Sequence, residues 1–179
     1  MKLARFGLVA AAILVALRGA SAEAPGTPAS AAAASDLQRI RSLVGSWHGT
    51  VEWTGARTDR GEMDAVYSET GHGTAVVENL VAGGETIMTS VYHLDGPTLR
   101  MTHYCGAGNQ PRLRAEPTSD DPRRIRFAFV DATNLGDPPS PHVDGVELLF
   151  LDASHVELSF HFTAPRGDSR ERISLTRQR

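Results

Sequence analysis

Cysteine is almost missing from this chain. Cys105 is the only one, so no intrachain disulfide and no Cys-x-x-Cys redox or zinc pair can exist. Lysine is as scarce: Lys2 stands alone, and every other fixed cation is an arginine. The 18 basic side chains face 21 acidic ones, for a formal charge of −3. They never concentrate into the basic surface that a nucleic-acid partner requires. Aromatic residues reach only 6%, with two tryptophans. Gly-x-Ser-x-Gly, His-Glu-x-x-His and paired-glycine dinucleotide signatures are all missing, which removes the commonest hydrolase, zinc-protease and dinucleotide-binding readings. The longest apolar run, Phe6 to Leu17, is too short to span a bilayer comfortably.

That run has another use. Lys2 and Arg5 precede it and Ala20-Ser21-Ala22 follows it, the layout of a secretory signal over residues 1–22 cleaved near Ala22. The expectation is an exported protein, periplasmic or secreted, with no transmembrane anchor after cleavage. Losing Lys2, Arg5 and Arg18, with no acid among them, takes the formal charge to −6. No cysteine follows the run closely enough to carry a lipid. Residues 23–34 are Ala, Pro, Ser, Thr and Gly with one acid and no apolar period, which reads as a flexible tether. Ser35 then opens a capping box closed by Gln38, and Leu37, Ile40 and Val44 share a helical face. The expected helix spans two turns, ends at Gly45, and must dock on something apolar to persist.

From Ser46 onward the period is two. Trp47, Gly49, Val51 and Trp53 alternate with His48, Thr50, Glu52 and Thr54. Further strands are expected over 62–70, 74–81, 85–94, 97–105, 112–116, 124–130, 145–151, 155–163 and 170–177, with glycine-containing turns between them. A long loop is expected over 131–144. The clearest hairpin turns at Asp95-Gly96, a pairing that sets Tyr92 against Leu99 and Ser90 against Met101. About ten strands at hairpin spacing predict an all-β domain over 35–179. An open sheet of that size would leave two long edges, so a closed antiparallel up-and-down barrel is expected, with the short helix plugging one end.

The helix, the Gly45-Ser46-Trp47 string and the hairpin ladder ending in an arginine-bearing strand resemble the calycin group of lipocalins, fatty-acid-binding proteins and nitrobindin-like barrels. The resemblance implies that Trp47 packs across the barrel floor beneath Arg177. The strings Tyr92-His93-Leu94-Asp95-Gly96, Met101-Thr102-His103-Tyr104-Cys105 and Gly108-Asn109-Gln110-Pro111-Arg112 are similar to uncharacterised secreted bacterial proteins with a lipocalin-like barrel. The glycine-rich first-strand motif and C-terminal haem-ligating histidine of the nitrobindin-like branch have no counterpart placed on this chain.

The expected function is binding of a small, partly apolar or amphipathic molecule in the barrel lumen, over Trp47, by a monomer or homodimer. Candidate ligand-binding residues are Tyr92, Met101, His103, Tyr104, Cys105, Asn109, Gln110 and Arg112. His103 and Cys105 leave one strand face together, so they could donate to a metal with His93, His142 or His161, or pair as base and nucleophile. No catalytic residue and no resident cofactor are assigned. The alternatives are a haem- or metal-dependent enzyme acting through His103 with help from His93 or Cys105, and a ligand-free structural envelope domain. Arg112 or Arg114, if turned inward, would favour an anionic head group.

Overall fold

The computed structural model describes residues 28–117, 121–136 and 140–179. Residues 1–22, read as an export signal, and residues 23–27 of the segment read as a tether lie outside the described residues. Helix α1 (Pro28–Arg41) leads into ten strands: β1 (Gly45–Gly55), β2 (Asp59–Thr70), β3 (Ala75–Ala82), β4 (Glu85–Asp95), β5 (Thr98–Tyr104), β6 (Gln110–Ala115), β7 (Arg124–Thr133), β8 (His142–Phe150), β9 (His155–Thr163) and β10 (Ser169–Arg177). Each strand pairs antiparallel with the next, and β10 returns to β1, so the sheet closes into a barrel with no free edge.

Helix α1 starts seven residues earlier than the capping box suggests. Alanine is the strongest helix former and proline is well tolerated in the first turn, so Pro28 to Ala34 extends the helix rather than a flexible link. Ala33, Leu37 and Ile40 bury one face against the barrel, and Leu43 in the following turn joins them, while Val44 is exposed. Gly45 takes a φ of +128°, a conformation open to glycine, to swing the chain from that turn into β1. Gly49 is needed for another reason: a Cβ there would stand 1.8 Å from the Ser174 carbonyl oxygen of β10. Only a bare Cα lets the first and last strands approach this closely.

Two expectations about the strands are corrected. The β4–β5 turn is Gly96-Pro97, so Tyr92 pairs with Met101 and Ser90 with His103. The shift is two residues along the strand, which preserves the faces but changes every partner. The long loop expected over 131–144 is shortened at both ends: β7 runs on to Thr133 and β8 begins at His142.

One end of the barrel is closed by α1. There Trp47, 1% exposed, donates its indole N–H to the Leu43 carbonyl at 2.7 Å. The Arg177 guanidinium lies 4.3 Å above the Trp47 ring and donates to the Val44 and Ser42 carbonyls, which the helix end leaves without partners. The floor that the resemblance implies is therefore present, built from both chain ends of the barrel.

The middle of the barrel is filled. Side chains from opposite strands meet across the axis: Tyr92 of β4 lies 5.7 Å from Phe127 of β7, and His103 of β5 lies 5.2 Å from Phe160 of β9. Met101, Leu113, Ile125, Leu148 and Leu158 are fully buried around them.

Candidate functional site

The open end is ringed by the five connections opposite the helix: β1–β2, β3–β4, β5–β6, β7–β8 and β9–β10. Inside them lies a cavity of about 710 Å³, within the range of small-molecule sites. Its wall is mostly apolar, with Val51 and Trp53 from β1, Met63 from β2, Met88 from β4, Cys105 and Phe162. The next inward residues along these strands, Gly49, Ala65 and Ser90, do not line it. The cavity thus occupies only the outer part of the barrel and stops on packed side chains. Trp47 lies at the far end, so a ligand in this cavity does not rest on it; Trp53 is the tryptophan it meets.

Trp53 is held from two sides. Its ring stands 4.8 Å from Phe162 and 4.0 Å beneath the Arg57 guanidinium. Directly across the β1–β10 ladder from Trp53 is Glu171, 1% exposed and part of the cavity lining. Burial pushes the Glu171 carboxyl up to about 7, because desolvation penalises the charged form. Arg57 pulls it down, Glu78 adds to the rise, and a hydrogen bond from Trp53 lowers it again. Its Oε2 is buried and without a hydrogen-bond partner among the described residues.

Beneath the cavity a polar row crosses four strands. Tyr67, Glu78, Ser90 and His103 are successive cross-strand partners on β2, β3, β4 and β5. Such neighbours have Cβ atoms about 5 Å apart, close enough to bond directly. Tyr67 and Tyr92 both donate to Glu78 Oε2, at 2.7 and 3.0 Å. Ser90 Oγ lies 3.0 Å from His103 Nδ1. Burial raises the Glu78 carboxyl, and hydrogen bonds from Tyr67, Tyr92 and Ser90 partly restore it. Burial also holds the His103 imidazole down to about 4, so it is neutral near pH 7.

These positions sort the sequence-derived candidates. Tyr92, Met101 and His103 point into the barrel but are sealed in the packed middle. Cys105 alone among the eight lines the cavity, its Sγ accepting from the Ala107 N–H at 3.4 Å. Burial pushes its thiol up, away from the reactive thiolate. Asn109 is buried at the rim and donates to the Pro141 carbonyl at 2.9 Å, tying the β5–β6 connection to the β7–β8 loop. Gln110, Arg112 and Tyr104 lie on the outside. Gln110 accepts from Thr133 and Asn134, Arg112 grips Asp131 with two bonds, and Tyr104 is 51% exposed. Their alternation places them one residue out of phase with the buried set, so an anionic head group held by Arg112 has no support.

The His103 chemistry does not fit either. Its Nδ1 is engaged by Ser90, its Nε2 is buried without a hydrogen-bond partner among the described residues, and its side chain does not line the cavity. A haem or metal seated in the cavity would therefore find no ligand from His103. His93 and His161 lie elsewhere: His93 contacts the Leu94 carbonyl, and His161 pairs with Asp144. Among the described residues no three His, Cys, Asp or Glu side chains gather closely enough to hold a metal ion.

Trp53, Met63 and Glu171, which help to define the cavity chemistry, were not singled out by the sequence. A signal existed for the buried acids. Glu78 is in phase with Val76 and Leu80, and Glu171 with Ile173 and Leu175. A carboxylate on the apolar face of a strand marks a buried charge.

No protein-family model matches the chain, and no curated protein matches it by sequence. Several solved structures do. Rv2717c from M. tuberculosis is 16% identical, with a TM-score of 0.54 over 87% of this chain and 100% of that one. A protein of unknown function of the DUF3598 family from Nostoc punctiforme is 12% identical, with a TM-score of 0.45 over 78% of this chain and 48% of that one. A redesigned β-barrel is 13% identical, with a TM-score of 0.35 over 78% of this chain and 95% of that one. The likeness to Rv2717c concerns the fold, and the ten-stranded closed barrel fits a calycin-like architecture.

Proposed function

We propose that this chain is an exported barrel that binds a small, partly apolar molecule in the open-end cavity. The observation that carries the reading is a 710 Å³ space walled by Trp53, Met63, Met88 and Phe162 at one end of an otherwise packed barrel. An open, mostly apolar recess of this size has the dimensions and lining of a small-molecule site. The layout of residues 1–22 supports export. Nothing in the packed middle supports chemistry at His103, and the binding reading needs none.

Native mass spectrometry of freshly purified protein tests the proposal, with a retained small molecule as the expected result. Cys105 provides a second readout within the native chain. Its thiol is buried on the cavity wall, so slow alkylation is expected, slowing further when the cavity is filled. For the same reason no disulfide-linked dimer should appear on a non-reducing gel. An empty protein whose tryptophan emission and Cys105 alkylation rate ignore a panel of lipids and amphiphiles would leave a purely structural role.

A further inference from the structure

The cavity reading leaves open which head group a ligand carries, and the charges inside the barrel constrain it. Two carboxyls, Glu78 and Glu171, are buried there, at 0% and 1% exposure. No buried cation answers them: His103 is held neutral by its burial, and the arginines that reach the cavity stand at its rim. Arg57 is bonded to Asp59 and Arg60 to Glu52, and Arg166 is exposed in the β9–β10 turn. Glu171 takes part in no ion pair within the described residues, and its Oε2 lacks a donor while its side chain forms part of the cavity wall. A buried carboxylate in this position is stabilised by an opposite charge that brings its own N–H donors. The aromatic faces of Trp53 and Phe162 beside it are also favourable to a cation.

Resting on the cavity reading, we infer that the ligand is an amphipathic amine, its ammonium bonded to Glu171 and its apolar body lying against Trp53, Met63 and Met88. The anionic alternative is disfavoured, because a carboxylate or phosphate head would meet Glu171 with Glu78 behind it. A neutral alcohol supplies one donor but leaves the charge unmatched.

Binding to the ionised Glu171 also makes the affinity depend on pH. The groups that face this carboxyl are Glu78 from β3, Arg57 from the β1–β2 loop, Trp53 from β1 and Cys105 after β5. Asp59, Glu62 and Arg166 also line the cavity and are exposed. Glu171 itself, pushed up to about 7 by burial, changes charge within the physiological range. Amine affinity therefore rises as pH increases through that value, while a neutral ligand shows no such step.

The test uses three probes of one chain length, dodecylamine, dodecanol and dodecanoate, at submicellar concentration, followed by calorimetry and Trp53 emission. Near pH 8, dodecylamine is expected to bind about tenfold or more tightly than dodecanol, with dodecanoate weakest. The advantage should shrink as pH falls below the Glu171 titration. In Glu171→Gln, which keeps the side-chain shape and removes the charge, the amine-to-alcohol ratio should fall toward unity and its pH step vanish. Dodecanol or dodecanoate binding as tightly as the amine in the native protein overturns the amine assignment while the cavity reading stands. Binding of none of the three removes both. The pH step is read on the unmodified chain, so it decides the matter even if the variant folds poorly.

Discussion

Trp47→Ala is expected to lower the unfolding free energy by about 3–5 kcal/mol, the range for truncating a fully buried large aromatic. The reasons are cumulative at this position. The indole is 1% exposed, so its whole apolar surface returns a cavity that the rigid strand ends cannot collapse into. The Leu43 carbonyl loses its donor, and Arg177 loses the ring beneath it while still bonded to the helix-end carbonyls. A domain of this size has a stability of about 5–15 kcal/mol, so the loss is a large share of the total. Chemical denaturation monitored by circular dichroism measures it. A loss below about 1 kcal/mol would show that the α1 end is not sealed by this ring.

Glu171→Gln should do the opposite, and its effect should depend on pH. The Glu171 carboxyl titrates at about 7 in the fold against an ordinary 4.5. Between those values the folded chain keeps a proton that the unfolded chain releases, so stability falls as pH rises, by about 3 kcal/mol in all. His103 contributes the reverse slope. Its imidazole titrates at about 4 rather than 6.5, so the unfolded chain takes up a proton first on acidification. Stability then falls toward low pH by a similar amount, again about 3 kcal/mol. Over the shared window the two slopes largely cancel in the native protein. Replacing Glu171 with the neutral isostere removes one of them. The variant is expected to match the parent near pH 4.5 and exceed it by about 2–3 kcal/mol near pH 8, with an acid limb now visible from His103. Denaturation series at several pH values decide this. Superimposable curves for parent and variant would mean that Glu171 is solvated and titrates like any surface acid, and the head-group argument would fall with it.

Such a gain from removing a charge would itself be informative. A Glu171 that weakens the fold near neutral pH yet lines the cavity would fit a residue kept for binding rather than for folding. Glu78 differs. Two tyrosine hydroxyls converge on one of its oxygens, so it organises the packed middle and has no route to a ligand.

The strands, their faces and barrel closure are legible in the sequence because they rest on local periodicity. Alternation at a period of two sets which side chains share a face, and that is decided within each strand. Thus Met101, His103 and Cys105 are correctly placed on one face, and Tyr104 and Arg112 stand on the other by the same rule. Membership of a face, however, does not say which face is inside, because β4 and β5 carry apolar and polar residues on both. The helix start was hidden for a different reason: Pro28 to Ala34 has strong helix propensity but no amphipathic period to announce it.

What the chain order could not determine is how the interior is shared between filling and empty space. That depends on side-chain volumes meeting across the axis from strands far apart in sequence, Tyr92 against Phe127 and His103 against Phe160. Those contacts fill the middle and bury His103, while smaller or more distant partners near Met63, Met88 and Glu171 leave the outer end open. Periodicity is a property of one strand, and a cavity is a property of ten, so the sequence determined the barrel and only the tertiary structure decided where it is hollow.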